Sequence, residues 1–85
     1  MSNVERIEFY TMPFCDSCDL ALHDVLPVAK EKKIPVHVLP VLNSESIVVP
    51  YACVIKKADG VEKKQCIRGY DSNYSKDLIK ILEED

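Results

Sequence analysis

Three kinds of segment are missing from this 85-residue chain, and each absence excludes a class of function. No apolar stretch approaches the ~20 residues that a membrane-spanning helix needs, so we expect no membrane partner. Lysine and arginine (11 residues) are outnumbered by aspartate and glutamate (14) and are interspersed with them, which leaves no basic stripe for nucleic acid. Residues 1–6 lack the basic-then-apolar layout of a signal peptide, and we therefore expect a cytoplasmic protein.

The composition is typical of one small globular domain. Hydrophobic residues make up 47% of the chain, enough for a compact core that does not depend on a metal ion or on disulfide bonds. No internal repeat, low-complexity segment or linker divides the chain. We therefore expect a single domain over residues 1–85, and a monomer.

The most informative motif is a pair of cysteines, Cys15 and Cys18, separated by two residues. It follows the apolar run 7–10 and precedes apolar residues at helical spacing, such as Leu22 and Val25. This position places both sulfurs on the first turn of a helix, where free amide N–H groups and the macrodipole favour the thiolate. Because the thiolate is the nucleophile of thiol–disulfide exchange, the motif indicates a reactive pair.

Zinc binding is the alternative for the same motif. A structural zinc site needs four ligands, which usually come as two close pairs. The other cysteines, Cys53 and Cys66, are separated by twelve residues, and His23 and His37 complete no recognised spacing. The pattern therefore favours redox chemistry over a metal, and we expect no metal and no organic cofactor.

The remaining pattern predicts alternating strands and helices. Asp59-Gly60 is a two-residue hairpin signal, and two strands joined through a helix should pair in parallel. The sequence therefore predicts an α/β protein with a four-stranded mixed sheet in the order β-α-β-β-β-α. The predicted elements are strands at 4–11, 34–41, 51–55 and 61–68, a helix at 15–33 and a last helix that Ser72 or Asn73 caps and that ends in Glu83-Glu84-Asp85.

The predicted hairpin places Cys53 directly opposite Cys66 at a non-hydrogen-bonded position, where Cα atoms are ~4.5 Å apart. Three interpretations are open: two buried apolar thiols, a strained cross-strand disulfide, or a second metal or redox site. We favour the two buried thiols. A one-residue bulge would instead separate the two side chains onto opposite faces.

In the order of its landmarks the chain resembles the thioredoxin/glutaredoxin superfamily over nearly its whole length. The landmarks are the strand, loop and Cys15-x-x-Cys18 helix, then Val49-Pro50, the Asp59-Gly60 hairpin, and Arg68-Gly69-Tyr70 before the last helix. The resemblance implies a thioredoxin-like fold. Only eight residues separate Val41 from Pro50, so the second helix of that fold should be shortened or missing.

The resemblance also implies roles for the two cysteines and for a proline. Cys15 would be the attacking nucleophile, and Cys18 would resolve the mixed disulfide. Pro50 would be a cis-proline beside the CxxC. Val49 would then offer its backbone groups to an extended substrate segment.

Three further residues would contribute to the substrate site. Gly69 would bring backbone close to the dithiol, and Arg68 would stabilise a thiolate or bind a partner carboxylate. Phe14, directly before the first cysteine, would shield the site as an aromatic residue does in thioredoxins.

Several positions depart from the superfamily pattern. The residues between the cysteines are Asp16-Ser17, whereas thioredoxins carry Gly-Pro and glutaredoxins Pro-Tyr. The Asp16 carboxylate disfavours a neighbouring thiolate, and a Ser17 hydrogen bond favours it. Phe9 occupies the position of the thioredoxin buried acid, and the glutathione-binding lysine of glutaredoxins is missing.

These features predict a small dithiol–disulfide oxidoreductase that reduces protein disulfides through Cys15 and Cys18. Ribonucleotide reductase is the partner that the family suggests, and thioredoxin reductase or glutathione would supply the electrons. The alternative is a redox-inert binding module whose CxxC holds zinc or an iron–sulfur cluster between two chains.

Overall fold

The computed structural model describes residues 3–41 and 50–84, and these form one four-stranded mixed sheet with two helices. In chain order the elements are β1 (Asn3–Thr11), α1 (Asp16–Lys32), β2 (Val36–Pro40), β3 (Tyr51–Ala58), β4 (Val61–Arg68) and α2 (Tyr74–Glu83). The predicted α/β class and element order are confirmed. The segment in which a second helix was expected to be shortened or missing lies outside the described residues.

The strand order β2-β1-β3-β4 brings the end of β1, the start of β3 and the end of β4 together. They lie at one edge of the sheet, the edge that strand termini form. β1 pairs in parallel with β2 and antiparallel with β3, and β3 pairs antiparallel with β4. In consequence Tyr10, near the end of β1, pairs with Tyr51 at the start of β3, which pairs with Arg68 at the end of β4. The loop that carries the CxxC leaves β1 at this same edge.

The hairpin between β3 and β4 turns at the dipeptide that the sequence pointed to. Asp59 and Gly60 both have positive φ, 53° and 80°, as a two-residue turn that matches the strand twist requires. Every pair from Ala58 with Val61 to Tyr51 with Arg68 then follows without a bulge. The predicted register of this hairpin is confirmed.

Both helices pack on one face of the sheet and form the core there. Alternate residues of β1 and β3 point to this face because side chains alternate along a strand. On α1 the buried residues lie three and four apart, which leaves Leu20 and Leu26 exposed although they belong to the apolar pattern. The core consists of Ile7, Phe9, Ala21, Val25, Ala29, Ala52, Val54, Tyr74, Leu78 and Leu82.

A buried lysine joins the sheet to the end of the last helix. Lys56 on β3 is only 3% exposed, and its ammonium donates a hydrogen bond to the backbone carbonyl of Glu84 at 2.6 Å. Glu84 caps the C-terminus of α2, where carbonyl groups lack helical partners and carry the negative end of the macrodipole. The lysine therefore satisfies a helix end that the charges of Glu83 and Glu84 would otherwise leave unfavourable.

We predict that Lys56→Met lowers the free energy of unfolding by ~1–3 kcal/mol, because it leaves a helix-end carbonyl without its charged donor. The measurement is urea unfolding followed by circular dichroism. Lys57→Met is the matched control, since Lys57 is the exposed neighbour on the same strand, and it should change stability by less than ~0.5 kcal/mol. Equal losses in the two variants would contradict the role of the Lys56 hydrogen bond.

Candidate redox-active site

Cys15 caps the N-terminus of α1 with its own sulfur. Its backbone is extended (φ −110°, ψ 100°), and its Sγ accepts a hydrogen bond from the backbone N–H of Cys18 at 3.1 Å. The Ser17 Oγ lies 3.5 Å from the same sulfur. These are the donors that would stabilise negative charge on Cys15 once the pair is reduced.

The two cysteines of the motif differ in exposure. Cys15 is partly exposed, whereas Cys18 is 1% exposed within α1. They form a disulfide, with Cα atoms 5.2 Å apart, a separation that suits the bond without backbone movement. An outer sulfur and an inner sulfur one helical turn apart are the arrangement that an attacking and a resolving thiol need.

Phe14 does not shield the dithiol as the resemblance predicted. Its side chain is fully exposed, and its backbone lies in the left-handed region with φ 59°. A bulky residue held in this region costs of order 1–3 kcal/mol, and such strain is concentrated at functional sites. The structure therefore presents an aromatic ring to solvent beside the attacking sulfur, and a contact with a bound partner stays a prediction.

Pro50 and Gly69 lie side by side at the edge of the sheet where the CxxC loop begins. The Gly69 N–H donates to the Pro50 carbonyl at 2.7 Å, and Gly69 has φ 69°, a conformation that favours glycine. Pro50 is buried, and the neighbouring Arg68 is exposed. The structure thus brings these three predicted site residues together at the end of the β3–β4 hairpin.

Two predictions for the substrate site fall on residues that the structure does not describe. Val49 itself lies outside the described residues. The cis isomer predicted for Pro50 concerns the peptide bond to Val49, and it stays a prediction for the same reason.

The second cysteine pair is bonded. Cys53 and Cys66 are directly opposite each other in the β3–β4 register, with Cα atoms 4.0 Å apart, and their sulfurs form a disulfide. The favoured interpretation of two free buried thiols is therefore wrong. The physical reason is the unbroken hairpin, because a non-hydrogen-bonded pair brings the two Cα atoms closest together.

A carboxylate flanks this second disulfide on the same face of the sheet. Glu8 on β1 is the register partner of Cys53, and it accepts hydrogen bonds from the Arg6 Nε at 2.9 Å and the Tyr10 hydroxyl at 3.3 Å. The hydrogen bond from Arg6 holds the pKa of the Glu8 carboxyl below its ordinary value, against the opposing effect of burial. The face opposite the helices therefore carries an ion pair of Glu8 and Arg6 next to Cys53.

Sequence reasoning missed a cluster beneath α1. The Tyr70 and Tyr74 rings are 5.3 Å apart, and the buried Tyr74 hydroxyl has no hydrogen-bond partner among the described residues. Burial, and to a lesser extent the charge of Asp24, raise the pKa of Tyr74. This cluster depends on α1 and α2 packing side by side on one face, which residue spacing along the chain does not encode.

The described part of the chain shows neither a metal-binding cluster nor a membrane-spanning helix. Within residues 3–41 and 50–84, no group of three or more histidine, cysteine, aspartate or glutamate residues is placed to hold a metal ion. Over the same residues, no helix is both long and apolar enough to cross a membrane.

Comparison with known proteins supports the fold. Neither a family model nor a curated protein sequence matches the chain. Among solved structures, the chain is similar to Trichomonas vaginalis thioredoxin, with a TM-score of 0.67 and 16% sequence identity over 91% of this chain and 78% of that one. The chain therefore has a thioredoxin-like fold, as the sequence predicted, with a CxxC pair at the start of α1.

We predict opposite effects of the two residues between the cysteines on the reactivity of reduced Cys15. Asp16→Asn removes a negative charge and should raise the rate of alkylation by iodoacetamide at pH 7. Ser17→Ala removes a hydrogen-bond donor and should lower that rate. Each change should be about twofold, because exposed interactions are worth a few tenths of a kcal/mol.

The measurement is site-resolved mass spectrometry of the Cys15 peptide over a time course. Asp77→Asn is the matched control, since Asp77 occupies the first turn of the other helix, and it should leave the rate unchanged. A slower reaction in Asp16→Asn would show that the carboxylate does not act on the thiolate.

We also predict that Glu8 makes stability depend on pH in the acid range. Its pKa is lowered on folding, so its contribution is complete above the ordinary carboxyl value of 4.5 and is lost as the pH falls through the lower folded value. Glu8→Gln should therefore flatten the fall in urea midpoint below that pH. An unchanged slope in Glu8→Gln would refute the prediction.

Proposed function

We propose that the protein is a dithiol–disulfide oxidoreductase that reduces disulfides of partner proteins. The observation that carries this proposal is the placement of the partly exposed Cys15 sulfur as the cap of α1. There the Cys15 sulfur accepts a hydrogen bond from the backbone N–H of the buried Cys18, with 3.1 Å between nitrogen and sulfur. A nucleophile at a helix N-terminus with a second thiol one turn behind it provides both steps of disulfide exchange.

The reaction transfers two electrons from the dithiol to the partner. The Cys15 thiolate attacks one sulfur of the partner disulfide, and the other partner sulfur leaves as a thiolate and takes up a proton. Cys18, deprotonated, then attacks the Cys15 sulfur of the mixed disulfide and releases the second partner thiol. The Cys15–Cys18 disulfide that remains is the form seen in the structure.

The surroundings of the dithiol support a protein substrate. Phe14 offers an exposed aromatic ring directly before the nucleophile. Pro50 and Gly69 present a short hydrogen-bonded edge where an extended segment could add to the sheet, the recognition mode that the resemblance suggests. We place Arg68 at this edge as the residue that would meet a partner carboxylate.

Thioredoxin reductase is the electron donor that we favour, since the glutathione-binding lysine of glutaredoxins is absent. Ribonucleotide reductase is the protein substrate that the resemblance suggests, and the cytoplasm is the compartment that fits this chemistry. Glutathione is the competing donor.

Trapping the mixed disulfide tests the mechanism. Reduced Cys18→Ala, mixed with insulin, should accumulate a covalent adduct at the Cys15 peptide that dithiothreitol releases. Cys15→Ala is the matched control and should form no adduct at Cys18, because that sulfur is buried. Equal adducts in both variants would overturn the assigned roles.

Turnover of insulin disulfides with NADPH then identifies the donor. We expect NADPH consumption with thioredoxin reductase, and none with glutathione and glutathione reductase. The alternative is a redox-inert module that binds a metal or cluster. It would be favoured if neither donor supported turnover and the purified protein contained zinc by elemental analysis or absorbed visible light.

A further inference from the structure

The Cys53–Cys66 disulfide has no part in the exchange reaction at the CxxC. It links β3 to β4 at a point where the hairpin register is already set by the Asp59-Gly60 turn. In the reducing compartment that we expect for this protein, disulfides that do form are typically catalytic or redox-sensing. The bond therefore needs an explanation beyond holding the hairpin in register.

The two sulfurs of this disulfide differ in access. Cys53 is fully buried on the inner strand β3. Cys66 is only half-buried on β4, which is an edge strand of the described sheet. An incoming thiolate therefore reaches Cys66, and the sulfur of Cys53 is the leaving group.

The leaving sulfur lies in an unfavourable electrostatic setting. Glu8, the register partner of Cys53, is held as a carboxylate by its hydrogen bond from Arg6. The Arg6 guanidinium offsets the charge of that carboxylate, so burial is the effect that disfavours a thiolate at Cys53. Because exchange is faster when the leaving thiolate is stable, this disulfide should exchange more slowly than the Cys15–Cys18 pair at its helix N-terminus.

The disulfide lies close along the strands to the substrate edge of the CxxC site. Two register pairs, Ala52 with Ile67 and Tyr51 with Arg68, separate it from the hydrogen bond between Gly69 and Pro50. β4 is hydrogen-bonded to β3 and to no other described strand. The covalent link therefore holds the terminal pairs of an edge strand, which would otherwise be free to fray.

We propose that Cys53–Cys66 is a second, slower redox couple that a small dithiol reduces, and that its disulfide holds the Gly69 segment against Pro50. A thiolate of the dithiol attacks the Cys66 sulfur, the bond to Cys53 breaks, and the Cys53 sulfur takes up a proton. The second thiol of the dithiol then attacks the mixed disulfide and releases the Cys66 thiol and the oxidised dithiol. The effect on turnover depends on the proposed function, whereas the exchange itself does not.

The first test uses the full chain with Cys15→Ala and Cys18→Ala, so that one couple remains. After incubation with reduced dithiothreitol, alkylation and mass spectrometry should show Cys53 and Cys66 reduced together under native conditions. The rate should be at least about tenfold below that of Cys15–Cys18 in the wild type. A disulfide that resists reduction until the protein unfolds would be a structural link only and would overturn the proposal.

Hydrogen exchange then shows whether the couple controls the substrate edge. In the same variant, reduction should accelerate exchange of the Gly69 amide by about tenfold or more. The Ile34 amide, which donates to the Ala29 carbonyl at 2.8 Å away from this hairpin, is the internal control and should not change. Equal protection of Gly69 in the two redox states would refute the link between the couple and the edge.

A variant with intact CxxC measures the effect on catalysis. Cys53→Ala with Cys66→Ala should raise KM for insulin about threefold or more, and alkylation of Cys15 should keep its wild-type rate, because only substrate binding depends on the edge. Lys63→Ala, at an exposed position on β4, is the matched control. An unchanged KM would overturn the regulatory role.

Absence of insulin turnover in the wild type itself would instead count against the proposed function, and the exchange measurements would still decide this inference.

Discussion

The register of β3 is the constraint on which the rest of the structure depends. This strand is hydrogen-bonded to β1 on one side and to β4 on the other, so its start lies beside the end of each. That arrangement places Pro50 and Gly69 at the edge from which the CxxC loop leaves β1. A slip of one residue would reverse the faces of β3, removing Ala52 and Val54 from the core and turning Cys53 toward the helices.

The two disulfides place the same bond in opposite electrostatic environments. Cys15 lies at a helix N-terminus with an amide N–H on its sulfur, which stabilises a thiolate. Cys53 lies buried in a sheet, where loss of solvation disfavours one. Backbone geometry permits both bonds, and the helix terminus and burial give their sulfurs different abilities to carry negative charge.

Much of the fold was predictable because its signals are local. Asp59-Gly60 specifies a two-residue turn, and that turn alone sets the opposition of Cys53 and Cys66. The CxxC predicted the start of α1 for a similar reason, since a cap acts within one turn. The state of the second pair was not predictable in the same way, because burial alone allows either free thiols or a bond.

The sequence by itself determined the element order, the hairpin register and the position of the CxxC pair at a helix start, all of which depend on neighbours within a few residues. Only the tertiary structure decided that both helices cover one face, that Lys56 reaches the end of α2, and that Glu8 lies beside Cys53. It also decided that the Phe14 side chain is exposed. These features join or separate segments far apart in the chain, and such contacts follow from packing that no local pattern specifies.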